Sequence, residues 1–206
     1  MIKCISAFFF VTLGILFLAA PSFANNPLDR YFGESTQGKL LVASSAMNDN
    51  RFKRSVVLMV NHDADGAFGL IINKPLSSIT KNELFDKLQL EHEADEGSIT
   101  IFYGGPVGRK QGFVIHEAEY QIEGTRRVTN KIAISPERDV ILAMAKGEGP
   151  KRYLFALGYS GWLSGQLEFE MRREFWLTAP ADMDMIFDES HRTKWQRAND
   201  LQFRSL

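Results

Sequence analysis

The run Gly158-Tyr159-Ser160-Gly161-Trp162 comes within one residue of the GxSxG nucleophile elbow. In that motif a strained strand-to-helix turn exposes the serine, and the second glycine lets the chain pack closely. Here Trp162 stands where that glycine belongs, and His191 is the only histidine after Ser160, with nothing local marking it as a base. An acyl-transfer serine needs a base within reach, so the residues name no catalytic group. The same segment leads into a helix expected to begin at Gln166, and helix N-termini favour anions. Glu168 and Glu170 already compensate that dipole and would repel a phosphate. The plainer reading is a tight turn, Gly158 to Gly165, whose glycines let Trp162 fold onto a sheet. The unusual residues gathered there, Gly158, Tyr159, Ser160, Gly161, Trp162, Gly165 and Gln166, are nevertheless the ligand-binding candidates the sequence offers.

His62, Asp63 and Asp65 lie close enough to suggest a metal, and Asp63-Ala64-Asp65-Gly66 echoes part of a calcium loop. A full loop needs further oxygen ligands and a distal bidentate Glu, and position 67 is Ala. Turn formation fits better, with the Asp side chains bonding the local backbone and Gly66 supplying positive φ. Gly104-Gly105-Pro106-Val107-Gly108 reads as a hairpin device, His116 as a satisfied residue at a strand edge, and the pairs Arg126-Arg127 and Arg172-Arg173 as solvated. Neither GxxxxGK[ST] nor GxGxxG occurs, and no cofactor or metal is expected.

The elements that must position these residues alternate irregularly. Short apolar runs predict strands at Lys39 to Ala43, Ser55 to Val60 and Ala67 to Ile72, the last two joined as a hairpin through Gly66. Thr80-Lys81-Asn82-Glu83 has capping-box spacing and predicts a helix from Lys81 to about Leu90. Strands follow at Ser98 to Tyr103 and Gly112 to His116, expected to pair across Gly104-Gly105-Pro106, and at Ile132 to Ser135. Ser135-Pro136 reads as N-cap and first helical residue of a helix stopping at Gly147. Tyr153 to Leu157 predicts a buried strand, Gln166 to Arg173 a helix pinned by Trp162 and Trp176, Trp176 to Ala179 a strand, and Ser190 to Gln202 a terminal helix. Hairpins mixed with crossovers predict an α/β (α+β-like) fold: one compact domain with a mixed sheet and packed helices.

Four stretches resemble the bacterial YqgE/AlgH family: Gly38 to Leu76, Phe102 to His116, Ile134 to Pro150 and Leu154 to Asp188. The resemblance implies a compact α/β fold in a mostly uncharacterised family, with a regulatory association to alginate biosynthesis in one branch. It supplies no catalytic residues. The chain departs from the family by starting ahead of Lys39, whereas familiar members look cytosolic and start near the equivalent of that residue. Leu163-Ser164 also stands where a smaller pair is expected after Trp162, and Phe175 replaces a polar residue.

That extension has the parts of an export signal: Lys3, the 16-residue apolar run Ile5 to Ala20, then Pro21-Ser22-Phe23-Ala24. The run is shorter than the roughly 20 residues that span a bilayer comfortably, so cleavage after Ala24 is favoured over a membrane anchor. The expected organisation is a signal over 1–24, a leader over 25–38 and the domain over 39–206. Cys4, the only cysteine, leaves with the signal. The remaining 182 residues carry 23 basic and 25 acidic side chains, a net charge of −2, with no footprint for nucleic acid. The expectation is a non-enzymatic binding or regulatory accessory protein, periplasmic or secreted, contacting a protein or small molecule. The alternatives are a hydrolase-like enzyme using the Gly158 to Gly165 turn and, for a chain retained in the cytosol, a transcriptional regulator.

Overall fold

Apolar alternation becomes strand pairing from the first segment onward. The computed structural model describes residues 34–188 and 190–202; the expected signal, its cleavage point and Tyr31-Phe32 of the leader lie outside the described residues. β1 (Lys39–Ala43), β2 (Val56–Asp63) and β3 (Gly66–Ile71) run antiparallel, with a two-residue turn at Ala64-Asp65 closing the expected hairpin. β4 (Pro75–Thr80), which the sequence did not announce, leads into α1 (Lys81–Lys87). Thr80 caps α1 by accepting from the Glu83 N–H at 3.2 Å, whereas the Glu83 carboxylate pairs with Lys87 instead of reaching back.

β5 (Ser98–Tyr103) and β6 (Val107–Glu117) follow, then the short β7 (Arg126–Arg127) and β8 (Ile132–Pro136). α2 (Glu137–Ala145) starts one residue later than expected: Pro136 is the N-cap and no side chain caps the helix. The Ser135 hydroxyl is engaged elsewhere, 2.9 Å from His116 Nε2. β9 (Tyr153–Leu163), α3 (Gln166–Arg172), β10 (Trp176–Pro180), α4 (Met183–Phe187) and α5 (His191–Gln202) complete the described chain. Neither β7 nor α4 was legible beforehand.

The sheet runs β10-β1-β2-β3-β9-β6-β8-β7, with β4-β5 branching from β9. The expected β5–β6 pairing is not formed. β9 lies between those strands, parallel to β5 through Phe102↔Ala156 and antiparallel to β6 through Phe113↔Ala156. Further along, β9 exchanges β5 for β3, pairing Gly69↔Ser160 and Gly66↔Leu163. The segment expected to turn at Gly158 therefore continues as strand. Gly158, at φ +72, supplies the bend: a Cβ there would stand 2.6 Å from the Gly105 carbonyl oxygen. The glycine keeps the strand going while its partner changes.

The sheet curls until its ends approach. An added Cβ on Gly38, just before β1, would lie 2.7 Å from the Thr129 methyl between β7 and β8, and Arg126 of β7 donates to Asn61 Oδ1 of β2 at 2.7 Å. Inside the curl Leu40, Leu58, Leu70, Phe102, Ile115 and Leu154 form the main core, closed by α4 and α5 through Met185, Ile186 and Ala198. On the outer face Trp162 and Trp176 pack with Leu167 of α3. Phe85 of α1 and Val140 of α2 cover Val114 and Phe155. Burial of a Phe85-sized side chain contributes about 2–3 kcal/mol.

Candidate functional site

β9 distributes the candidate residues over both faces of the sheet instead of gathering them in one turn. Ser160 is fully buried, and its hydroxyl donates to the Gly104 carbonyl at 3.2 Å. That carbonyl also accepts from the Ile71 N–H at 2.9 Å. Ser160 thus fastens the point where β9 passes from β5 to β3. Trp162 faces the same way and donates its indole N–H to Glu170 at 3.0 Å. Gly165, at φ +74, is the N-cap of α3, and the Gln166 side chain bridges the Leu163 N–H and the Glu170 carboxylate. Their roles are in packing and capping.

Tyr159 alternates to the inner face, where its ring lies 5.0 Å from Phe68 and 6.3 Å from Phe113. Gly161 leaves room for that ring, since a Cβ there would be 3.3 Å from it. The three rings are half-buried at the end of the curl that Arg126 closes. Beside Phe113 opens a cleft of about 480 Å3, lined also by Lys110, Gln111, Arg126, Ile134 and Glu137. Two cations, one carboxylate and an aromatic wall can hold a small molecule by stacking and directed hydrogen bonds. The basic pair Arg126-Arg127 is split in role: Arg126 enters this cleft, and its partner Asn61 is in turn bonded to Asp63 at 2.6 Å.

Asp63 is a turn former: its carboxylate accepts from Asn61 and from the Asp65 N–H, and those bonds hold its pKa below the ordinary carboxylate value. His62 turns to the outer face, where Glu168 of α3 meets it, away from Asp63 and Asp65 as a ligand set. Among the described residues no group of three or more His, Cys, Asp or Glu could hold a metal. His116 is satisfied but not at an edge, because β6 lies between β9 and β8. Its Nδ1 hydrogen-bonds the Glu117 carbonyl at 2.8 Å, so Nε2 accepts from Ser135, and burial lowers its pKa.

A family profile described as AlgH-like (DUF179) matches residues 40–204. The chain belongs to the AlgH-like family. A UPF0301 protein of Jannaschia sp. is 40% identical over 163 residues, covering 78% of this chain and 85% of its own length. A UPF0301 protein of Caulobacter vibrioides is 40% identical over 168 residues, covering 81% and 86%. The solution structure of AlgH from Pseudomonas aeruginosa superposes with a TM-score of 0.69 at 34% identity, over 82% of this chain and 89% of that one. A Corynebacterium diphtheriae protein shares the fold alone, with a TM-score of 0.63 at 18% identity.

In this AlgH-like chain the cleft residues Lys110, Phe113, Arg126 and Glu137 escaped sequence reasoning because they come from two strands and a helix. Each is ordinary in its local context. Only the order β9-β6-β8-β7 brings them together, and no short motif encodes that order.

Proposed function

We propose that this AlgH-like chain is an exported, non-enzymatic binding or regulatory accessory protein that takes a small molecule with a flat apolar face in the Phe113 cleft. The carrying observation is the half-buried ring cluster Phe68-Phe113-Tyr159 beside a cleft of about 480 Å3 whose rim holds Lys110, Arg126 and Glu137. Half-exposed aromatic rings next to converging polar groups are what small-ligand sites offer. Ser160, the residue an acyl-transfer mechanism would need, is fully buried with its hydroxyl bonded to Gly104, which favours binding over turnover. Export rests on Met1 to Ala24, with the charged start, apolar run and small-residue cleavage point of a signal.

Two measurements test the two halves. Ligand-observed NMR against a metabolite library should find a binder weakened about tenfold by Phe113→Ala, a loss of about 1.4 kcal/mol, and unaffected by Phe169→Ala on α3. Binders indifferent to Phe113→Ala would remove the cleft from consideration. The mass of the N-terminus in fractionated cells should show a chain starting at Asn25 in the soluble exported fraction; an intact cytosolic chain defeats the export half.

A further inference from the structure

Two adjoining clefts on the β4-β5 side of β9 share a wall. The larger, about 640 Å3, lies between Pro75–Ser78 of β4 and the first turn of α5. The smaller, about 250 Å3, lies between Phe102 of β5, the start of β9 and Phe187 of α4. Thr100 and His191 line both, so the two form one trough.

Cations enter this trough from two sides. Lys151 and Arg152 line the smaller cleft and Arg192 the larger, with His191 between. The Glu117 carboxylate accepts the backbone N–H groups of Lys151 and Arg152 at 2.8 and 2.7 Å, which fixes the segment presenting those side chains. Arg152 is itself steadied, bonding Asp184 at 2.8 Å and lying 5.2 Å over the Phe187 ring. Ser77, Ser78, Ser98 and Thr193 also line the trough, with the Ser78 hydroxyl donating to the Ile99 carbonyl and that of Thr193 to the Ser190 carbonyl. Among the described residues neither lining includes a carboxylate.

The first turn of α5 adds positive charge to one wall of the trough. It holds no acidic residue and begins His191-Arg192, placing basic side chains at the positive end of a 12-residue helix. The Asp188 carboxylate, which accepts the Ser190 N–H at 3.2 Å just ahead of this turn, compensates the helix end itself, so it is the side-chain cations that point to an anion. Side-chain cations from a separate segment, Lys151 and Arg152, line the same trough.

We propose that the trough binds the phosphate group of a small phosphorylated molecule, seated beside Thr100 and His191 between Lys151-Arg152 and Arg192, with its organic part toward Pro75, Leu76 and Phe102. Phosphate fits better than a carboxylate because its several oxygens can accept from both cationic sides and from hydroxyls at once. This site is independent of the Phe113 cleft and stands or falls without it.

The test is a titration of inorganic phosphate into the full chain, followed by amide chemical shifts. Saturable shifts are expected at Thr100, Arg192 and Thr193, with Lys151→Gln and Arg192→Gln each weakening binding about tenfold. Arg192→Lys should retain most of the affinity, and Lys53→Gln, an exposed lysine between β1 and β2, should change nothing. Lys151 and Arg192 are exposed, so unchanged melting temperatures will show that the variants fold. Shifts that never saturate, or equal weakening by Lys53→Gln, would overturn the proposal. Competition by glycerol phosphate without vesicle binding marks a soluble ligand; retention on phosphatidic acid vesicles that Arg192→Gln abolishes marks a lipid headgroup at the same site.

Discussion

His62 Nε2 stands 3.0 Å from Glu168 Oε1, joining β2 to α3 across 106 residues of chain, with both side chains nearly closed to solvent. The other ring nitrogen, Nδ1, accepts the backbone N–H of Thr36 at 3.0 Å, since an amide can only donate. The proton of the ring therefore sits on Nε2 and is given to Glu168. One histidine so ties the segment before β1, the sheet and α3 together. Glu168→Ala leaves a buried imidazole N–H without its acceptor, and such orphaned groups cost about 1–3 kcal/mol. Glu168→Gln keeps an acceptor oxygen and should lose much less. Urea melts of both variants check the difference, and equal losses would show that charge, not hydrogen bonding, matters here.

Glu170 performs a related task for the tryptophans. Its Oε2 accepts the indole N–H of Trp162 at 3.0 Å and of Trp176 at 2.7 Å, while the two rings pack edge to face at 5.8 Å. Glu170→Ala deprives two largely buried donors at once and is expected to cost about 2–4 kcal/mol. Tryptophan emission should shift to the red as water reaches the indoles. An unaltered spectrum with wild-type stability would contradict this account of how α3 is pinned.

The sequence made these strands visible and hid what joins them. Lys39 to Ala43, the Thr80 cap and the Ala64-Asp65 hairpin were legible because each depends on neighbours within a few residues. The pinning of α3 by Trp162 and Trp176 was legible too, although the carboxylate receiving both indoles was read only as a compensator of the helix dipole. Gly158 was misleading: a glycine signals positive φ, and positive φ serves a bend within a strand as well as a reversal of chain. β4 was invisible because Pro75–Thr80 is mostly exposed, with no apolar alternation to betray it. His62 looked like a ligand beside Asp63 and Asp65, yet strand alternation sends it to the opposite face from its neighbours.

Gly158→Ala tests the bend directly. At φ +72 a side chain is strained, and its Cβ would meet the carbonyl oxygens of Gly105 at 2.6 Å and Val107 at 2.9 Å, both backbone. Backbone strain of about 1–2 kcal/mol adds to overpacking of about 1–3 kcal/mol. The variant should be among the least stable single substitutions in β9. Gly161→Ala, on the same strand with an added methyl 3.3 Å from the movable Tyr159 ring, should be far milder. Thermal melts of the pair decide it, and similar behaviour of the two would mean that the chain can reroute at Gly158.

Lys194 makes the stability of the fold rise with pH on the alkaline side. Its side chain is fully buried, with Nζ donating to the Ile186 carbonyl at 2.6 Å and standing 3.7 Å from Asp188 Oδ1. Burial outweighs the Asp188 carboxylate and lowers its pKa from 10.5 to about 8. The unfolded chain therefore binds more protons than the folded one between those values, so stability rises with pH across that window. The contribution is fully present above 10.5 and is lost as the pH falls through about 8. Its full size is on the order of 3 kcal/mol, approached at no more than about 1.4 kcal/mol per pH unit. Lys194→Met removes the titrating group but keeps the length of the side chain. The stability of the wild type relative to this variant should rise steadily from pH 7.5 to about pH 9.5, below the ordinary range of the tyrosines. Urea midpoints at half-unit intervals measure the slope. A flat difference across that range would mean that the amine reaches water in the folded state and titrates near its ordinary value.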